Sequence, residues 1–240
     1  MRVSYKRAAV KDMEATRDYI AGRLKNPKAA KKLMTALLVL EALDRDEIAL
    51  TDSVQISPRA AAMKGSQALL DASAVYPLED LLRTTIMASA NDSAVALSEY
   101  IAGSEENFVD RMNRRAAELG MANTNYVNCT GYPQSGQYTT ARDVCRLCCE
   151  IAKHPRYNQY ASVWIDKLTH PGGRVTDLTN TNRLVRFYEG CDGYKTGSTD
   201  AAKYCLAATA EKNGMRLVAI VLGTPVSQTR FNEARQMLDY

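Results

Sequence analysis

The triplet Lys195-Thr196-Gly197 is the clearest candidate for a substrate contact in the chain. Two apolar runs of strand length follow it, so the triplet is predicted to lie on or beside an exposed strand. A cation and a hydroxyl fixed on a strand can hold a carboxylate, and a glycine lets a substrate backbone approach that strand closely. The same triplet is also typical of surface turns, so its chemistry depends on what the fold brings to it.

Two further sets of polar residues belong to predicted helices. Ser89 and Asn91 occupy a junction between two helices, where polar side chains can project into a cleft. Asn91 or the neighbouring Asp92 also suits the N-cap of the second helix. Lys32 lies in the first turn of a helix with apolar residues on more than one side, which predicts that this helix is buried.

Apolar spacing predicts the elements that position these residues. Helices are expected over about 29–43, 78–88, 92–101, 108–119 and 227–238, with a cysteine-bearing helix opening at Thr140. Strands are expected over 204–210 and 217–222, joined by a turn at Asn213-Gly214.

The remaining segments have weaker patterns. Residues 44–76 and 155–189 are predicted as loops and short elements, with a hairpin around Pro171 to Gly173. Residues 3 to 25 leave two alternatives open, a hairpin with a turn near Thr16 or one irregular helix from Asp12 to Leu24.

Length and composition favour one domain, built as two lobes around a sizeable core. The chain has 240 residues, 46% hydrophobic content and a net charge of +4. Acidic and basic residues are interspersed, so no nucleic-acid function is expected. No stretch reaches the roughly 18 apolar residues of a membrane-spanning helix. Met1 to Lys6 lack the apolar core of a signal peptide, which leaves open a cytoplasmic chain or one whose leader has been removed.

The six cysteines are interpreted as free thiols. Three of them, Cys145, Cys148 and Cys149, fall on one predicted helix, where they are poorly placed to form a disulfide. A metal site would need a fourth ligand and a loop-like spacing. A metal ion is therefore not expected at these cysteines, and no organic cofactor is expected either.

The order and spacing of the polar residues resemble the motifs Ser-x-x-Lys, Ser-x-Asn and Lys-Thr-Gly of the serine penicillin-binding proteins. The resemblance is closest to the low-molecular-mass D-alanyl-D-alanine carboxypeptidases and covers about residues 27 to 238. Segments outside the motifs also resemble that family. The segments are 32–38, 91–97, 120–125, 128–133, 138–143, 180–184 and 190–197.

The resemblance implies an α+β fold like those of penicillin-binding proteins and β-lactamases. An antiparallel sheet, made from the N-terminal hairpin and strands near 192–223, would be flanked by the first and last helices. This α/β lobe would comprise about 1–45 and 161–240, with a mostly helical lobe over about 46–160 and the cleft between them. The C-terminal β-domain and anchoring helix that related carboxypeptidases often add are not expected within these residues.

The resemblance also assigns roles in catalysis. The helical spacing of Ser-x-x-Lys places both residues on one face, where a desolvated lysine can act as base for the serine. Lys32 would be that lysine. Ser89 would relay a proton, and Asn91 would bind the substrate amide.

The third motif would hold the substrate. Lys195 and Thr196 would bind the terminal carboxylate of the peptide. Gly197 would give close approach, and the N–H of Ser198 would be one oxyanion donor.

One motif position departs from the family. Three residues before Lys32, where the family has its nucleophilic serine, this chain has Ala29, so covalent catalysis cannot run there. Three explanations are open: a change made to trap a substrate complex, a natural pseudoenzyme, or a rearranged N-terminal segment. Lys31 departs from the usual pattern as well, and several departures close together favour the last two. Ser89 is disfavoured as a substitute nucleophile because its placement suits proton relay.

The implied function is removal of the terminal D-alanine from peptidoglycan stem peptides by a serine-type hydrolase outside the cytoplasm, with β-lactams as suicide ligands. Ala29 leaves the chain catalytically impaired as written. The alternative is a non-catalytic protein that binds the same peptides in the same cleft. A β-lactamase is a weaker alternative, because the phrase closest to a Glu-x-x-Leu-Asn segment, Asp177 to Asn180, lacks the glutamate.

Overall fold

A computed structural model describes residues 28–239, with Lys28 as backbone only. Both alternatives for residues 3 to 25 lie outside the described residues. Within that range the elements are α1 (Lys28–Asp44), β1 (Ser53–Gln55), α2 (Pro58–Ala61), β2 (Val75–Pro77), α3 (Leu78–Met87), α4 (Asn91–Ala102), α5 (Glu105–Glu118), α6 (Ala141–Ile151), α7 (Pro155–Ala161), β3 (Ile165–Thr169), β4 (Val175–Thr179), α8 (Leu184–Phe187), β5 (Cys191–Thr199), β6 (Lys203–Lys212), β7 (Met215–Thr224) and α9 (Ser227–Leu238).

Helix α1 is the centre of the core, as its apolar pattern predicts. It packs against β5 on one side and against α3, α4 and α6 on others. Because neighbours surround it, residues on several faces, including Leu33, Val39 and Leu37, have no exposed surface. Lys32 on this helix is therefore carried into the interior by the packing of the apolar residues around it.

Three antiparallel strands form the main described sheet in the order β5-β6-β7. Successive residues of β6 point to opposite faces. Leu206 and Ala208 pack with Phe231 of α9, whereas Ala207 joins the core cluster of α1. The turn between β6 and β7 has positive φ at Asn213 and Gly214, 51° and 72°, the conformation that tight two-residue hairpins use.

Strand β5 carries the Lys-Thr-Gly triplet at one edge of this sheet. The expectation of an exposed strand is wrong for its side chains: Lys195 is 1% exposed and Thr196 is 7% exposed. The reason is that α1, α7 and α8 all pack against β5.

The observed starts of three helices can be compared with the capping residues and bounds that the sequence predicts. Thr140 accepts a hydrogen bond from the N–H of Asp143 at 3.2 Å and caps α6, as predicted. Helix α5 begins at Glu105 rather than Phe108, because Ser104 caps it by accepting from Asn107. Helix α4 has no side-chain cap, so the N-cap prediction for Asn91 or Asp92 is wrong.

The described chain thus combines helices with antiparallel sheets. A single core cluster includes residues of α1, of helices α3 to α7 and of β5, so the two predicted lobes share apolar packing. The division at about residues 46 and 160 stays a prediction. Among the helices described, none has both the length and the apolar character that crossing a membrane requires.

Candidate functional site

A cleft of about 730 Å³ lies between the α3–α4 junction and strand β5. Ser89 lines it from the junction, and Thr196, Gly197 and Ser198 line it from the strand. These four residues were singled out in the sequence, and the fold brings them to one cavity.

Lys32 is buried and has two described acceptors. Its Nζ donates to Oδ1 of Asn91 at 2.6 Å and to the carbonyl of Thr130 at 2.7 Å. The acceptors are 59 and 98 residues away in the chain, so this contact is made by the tertiary fold. It joins the lysine of the first predicted motif to the asparagine of the second.

Asn91 has no exposed surface and holds a loop as well as Lys32. Its Nδ2 donates to the carbonyl of Lys64 at 2.5 Å, and its backbone N–H donates to the carbonyl of Ser66 at 2.7 Å. Ser66 lines the cleft. The Asn91 amide is therefore a junction between the buried lysine and the cleft wall, which explains why its side chain does not cap α4.

Asp92 supports the same loop from the next position. Its carboxylate accepts from the N–H of Ala68 at 3.0 Å and from the N–H of Leu70 at 3.2 Å. Backbone amides in an irregular segment need such partners when they are buried. The sequence indicates Asp92 only as a possible cap of α4, and no sequence pattern indicates this contact.

Ser89 sits in a turn with a left-handed backbone. Its φ is +62°, a conformation that costs a residue with a side chain about 1 to 3 kcal/mol. The turn is fixed on both sides, because the N–H of Ala90 donates to the carbonyl of Thr84 and α4 begins at Asn91. The two helices thus fix the backbone of Ser89 beside the cleft, which Ser89 lines.

Lys195 is buried, and its Nζ donates to Oγ1 of Thr181 at 3.3 Å. Thr181 lines the cleft, so Lys195 lies one residue behind the surface. Ser198 is exposed, two residues beyond Thr196 on the same strand. The hydroxyl of Thr196, the glycine at Gly197 and the exposed Ser198 therefore lie along one wall of the cleft.

Ala29 is 2% exposed and precedes Lys32 by one helical turn. Its methyl group offers no nucleophile. Lys31 is also buried, and burial lowers the pKa of Lys31 from its ordinary 10.5 to about 7. Two consecutive buried lysines therefore follow the position where a nucleophile would stand.

Arg230 is a cleft residue that no sequence motif includes. It is 9% exposed and donates to the carbonyls of Gly197 and Cys205, both at 3.2 Å. Burial, and secondarily the positive charge of Arg183, lower the pKa of Arg230. Nothing in the sequence around residue 230 signals this contact, because Gly197 is 33 residues earlier in the chain.

One group of side chains has the composition of a metal site. Single ligand atoms of Glu41, Glu150 and His154 lie within 4.8 Å of one another. Arg115 pairs with both carboxylates, at 2.8 Å and 2.9 Å, and Lys153 pairs with Glu150 at 2.5 Å, so protein cations already contact these carboxylates.

Comparisons with known proteins identify the family of the chain. The family model described as D-alanyl-D-alanine carboxypeptidase matches residues 22–226. The chain belongs to the D-alanyl-D-alanine carboxypeptidase family. The carboxypeptidase DacF of Bacillus subtilis is 41% identical over 214 residues, which are 89% of this chain and 55% of DacF. The chain spans about half the length of the curated carboxypeptidases it matches.

Solved structures place the chain in the same fold family. The carboxypeptidase DacD of Francisella tularensis matches with a TM-score of 0.85 and 28% identity, over 89% of this chain and 64% of that one. Penicillin-Binding Protein D2 of Listeria monocytogenes, solved in its ampicillin-bound form, matches with a TM-score of 0.78 and 30% identity, over 91% and 88% of the two chains. The predicted α+β fold and the predicted enzyme class, a serine-type D-Ala-D-Ala carboxypeptidase, are both confirmed at the level of the family.

Proposed function

We propose that the cleft binds the D-alanyl-D-alanine end of peptidoglycan stem peptides, and β-lactams in the same place. The observation that carries this proposal is the contact of Lys32 with Asn91 at 2.6 Å, beside a cleft shared by Ser89 and the Thr196–Ser198 wall. Three stretches far apart in the chain contribute to it, as the three-motif resemblance requires.

Each side chain has a chemical role in this proposal. Thr196 supplies a hydroxyl to the terminal carboxylate, Lys195 adds positive charge from behind Thr181, and the N–H of Ser198 is one donor to the oxygen of the scissile carbonyl. Asn91 has no exposed surface and uses Oδ1 for Lys32 and one amide hydrogen for Lys64, so in this proposal it orients the buried lysine and supports the cleft wall.

Proton transfer would use the buried lysine. Lys32 takes the proton of a hydroxyl placed one helical turn away, and Ser89 passes a proton to the leaving amine. In this chain Ala29 occupies the hydroxyl position, so the peptide is held and no acyl-enzyme forms. Ala29 therefore favours a non-catalytic peptide-binding protein as the second candidate. The substrate lies in the cell wall, so the proposed place of action is outside the cytoplasm.

The test is intact mass spectrometry after incubation with penicillin. The chain as written is compared with Ala29→Ser and with Ala29→Ser/Lys32→Met. We expect no adduct on the first and one penicilloyl adduct on the second, because the new hydroxyl attacks the lactam carbonyl while the ring nitrogen takes up a proton. The third variant stays unmodified, because the base is gone.

Other results contradict the proposal in distinct ways. An adduct on the chain as written would show that another residue is the nucleophile, and its loss in Ser89→Ala would identify that residue. An unmodified Ala29→Ser variant that still folds would show that the cleft is not organised for acyl transfer.

A further inference from the structure

One end of the cleft carries several arginines. Arg183 and Arg230 line the cleft, and Arg183 and Arg235 line an adjoining cavity of about 300 Å³. Arg186 stands over the rings of Trp164 and Phe187, 5.8 Å and 5.4 Å from their centroids. Within residues 28–239 no carboxylate forms an ion pair with any of these four arginines, and no Asp or Glu lines either cavity.

This arrangement favours negative charge from outside the protein. Elsewhere, arginines such as Arg83 and Arg115 pair with two or three carboxylates each. A cleft lined by one sign of charge concentrates oppositely charged ligands, because its low-dielectric walls focus the field. The guanidinium groups of Arg183 and Arg235 also have the planar shape that matches a carboxylate.

The adjoining cavity has an apolar wall as well as a charged one. Arg183, Phe187 and Phe231 line both cavities, so the two adjoin. Leu184 adds further apolar surface. Arg235 is anchored, because its Nη2 donates to the carbonyl of Phe187. The space therefore fits a side chain with an aliphatic stem and an acidic tip.

The position of this space relative to the bound peptide follows from the proposed function, on which the inference rests. The attacked carbonyl lies near position 29, and the terminal residue extends toward Thr196 and Ser198. The cleft includes these two residues and continues to Arg183, so the end that carries the arginines lies on the leaving-group side of the scissile bond. The methyl side chain of a terminal D-alanine fills little of a cleft of about 730 Å³ with an adjoining cavity of about 300 Å³.

We propose that this end of the cleft is a subsite for a second acidic group. It takes peptides whose residue after the scissile carbonyl carries a carboxylate on its side chain, in addition to the carboxylate at its own α-carbon. Arg183 provides the main contact from the rim shared by the two cavities, with Arg235 behind it. The substrate class is then a branched or acidic leaving group rather than D-alanine alone.

The test uses three diacetyl-lysyl peptides that end in D-Ala-D-Ala, D-Ala-D-Gln and D-Ala-D-Glu. The chain as written binds them without turnover, so calorimetry gives a Kd for each. D-Gln and D-Glu have nearly the same shape and differ in charge. We expect the D-Glu peptide to bind about three- to tenfold more tightly than the D-Gln peptide at about 0.01 M salt, and the preference to shrink at about 0.5 M.

Variants locate the contact. Arg183→Gln should remove the preference for D-Glu while leaving the affinity for D-Ala-D-Ala within about twofold. Arg142→Gln removes the same charge from an exposed arginine that lines neither cavity, and should keep the preference.

Several outcomes overturn the subsite. If the D-Glu and D-Gln peptides bind equally well while the D-Ala-D-Ala peptide also binds, the subsite is refuted and the proposed function is not. If the preference for the D-Glu peptide survives Arg183→Gln, the assignment of Arg183 to the subsite is refuted. A glycerol-phosphate oligomer that competes through Arg183 when D-Glu shows no preference refutes the peptide ligand in favour of an anionic polymer. Failure of all three peptides to bind refutes the proposed function and the subsite together.

Discussion

Replacing Asn91 by alanine removes a buried amide that links two parts of the site. Two described side-chain hydrogen bonds are lost, the one from Lys32 and the one to the carbonyl of Lys64. The backbone hydrogen bond to Ser66 remains. A net hydrogen bond contributes about 0.5 to 1.5 kcal/mol, and a buried polar group left without its partner costs about 1 to 3 kcal/mol.

We therefore expect Asn91→Ala to lower the free energy of unfolding by about 3 kcal/mol. For a chain of this length that corresponds to a fall in Tm of about 6 to 12 °C. Urea unfolding followed by circular dichroism measures the first quantity and a thermal scan the second. A double-mutant cycle with Lys32→Met isolates the pairwise interaction, which should be about 1 to 2 kcal/mol.

The matched control is Asn125→Ala, which removes an exposed amide that donates to the carbonyl of Gly136 at 2.8 Å. Its effect should stay below about 1 kcal/mol, because water replaces the lost partner. If Asn91→Ala unfolds within about 0.5 kcal/mol of this control, or the cycle with Lys32→Met shows no coupling, the buried junction does not stabilise the site.

Three other substitutions test separate features. Lys31→Met should raise the free energy of unfolding at pH 7, as measured by urea titration. This gain should shrink by about 1.4 kcal/mol per pH unit toward pH 10.5, because between the folded pKa of about 7 and the ordinary 10.5 the unfolded state holds a proton that the folded state lacks. A hydrogen bond from Cys145 lowers the pKa of the Cys149 thiol to about 7, so the rate of its alkylation by iodoacetamide should be half-maximal near that pH, and at a higher pH in Cys145→Ala. Gly190→Ala should cost about 2 kcal/mol or more in unfolding experiments, since φ is +81° and a Cβ would lie 2.6 Å from the carbonyl oxygen of Glu211; a neutral result would mean that this turn relaxes freely.

Periodic apolar patterns predicted the helices and the β6–β7 hairpin well, because burial of one face determines those elements. The last helix, Ser227–Leu238, has the predicted bounds. Ser104 caps α5 through a Ser-x-x-Asn signal that the sequence also contains, so the later predicted start reflects an overlooked local signal.

Tertiary contacts explain what the sequence could not predict. Asn91 has the composition of a cap, but a buried lysine 59 residues earlier takes its side chain instead. Lys195 belongs to a motif that suggests an exposed strand, and packing by three helices buries it. Arg230 donates from α9 to the backbone of β5, and no local sequence pattern predicts a contact between residues so far apart in the chain. Local propensity depends on a few neighbouring residues, whereas these contacts depend on how segments far apart in the chain pack against each other.

The contact of Lys32 with Asn91 and Thr130 also bears on how the chain folds. Its partners are 59 and 98 residues away, and closing loops of that length costs entropy before any contact compensates for it. Helix α1 can form early from local contacts, yet its buried lysine has neither acceptor until α4 and the segment around residue 130 have docked. During synthesis helix α1 therefore keeps a polar group without these acceptors on its future core face until the segment around Thr130, 98 residues after Lys32, has followed. We therefore expect its final burial to be a late, cooperative step in which the site assembles with the core.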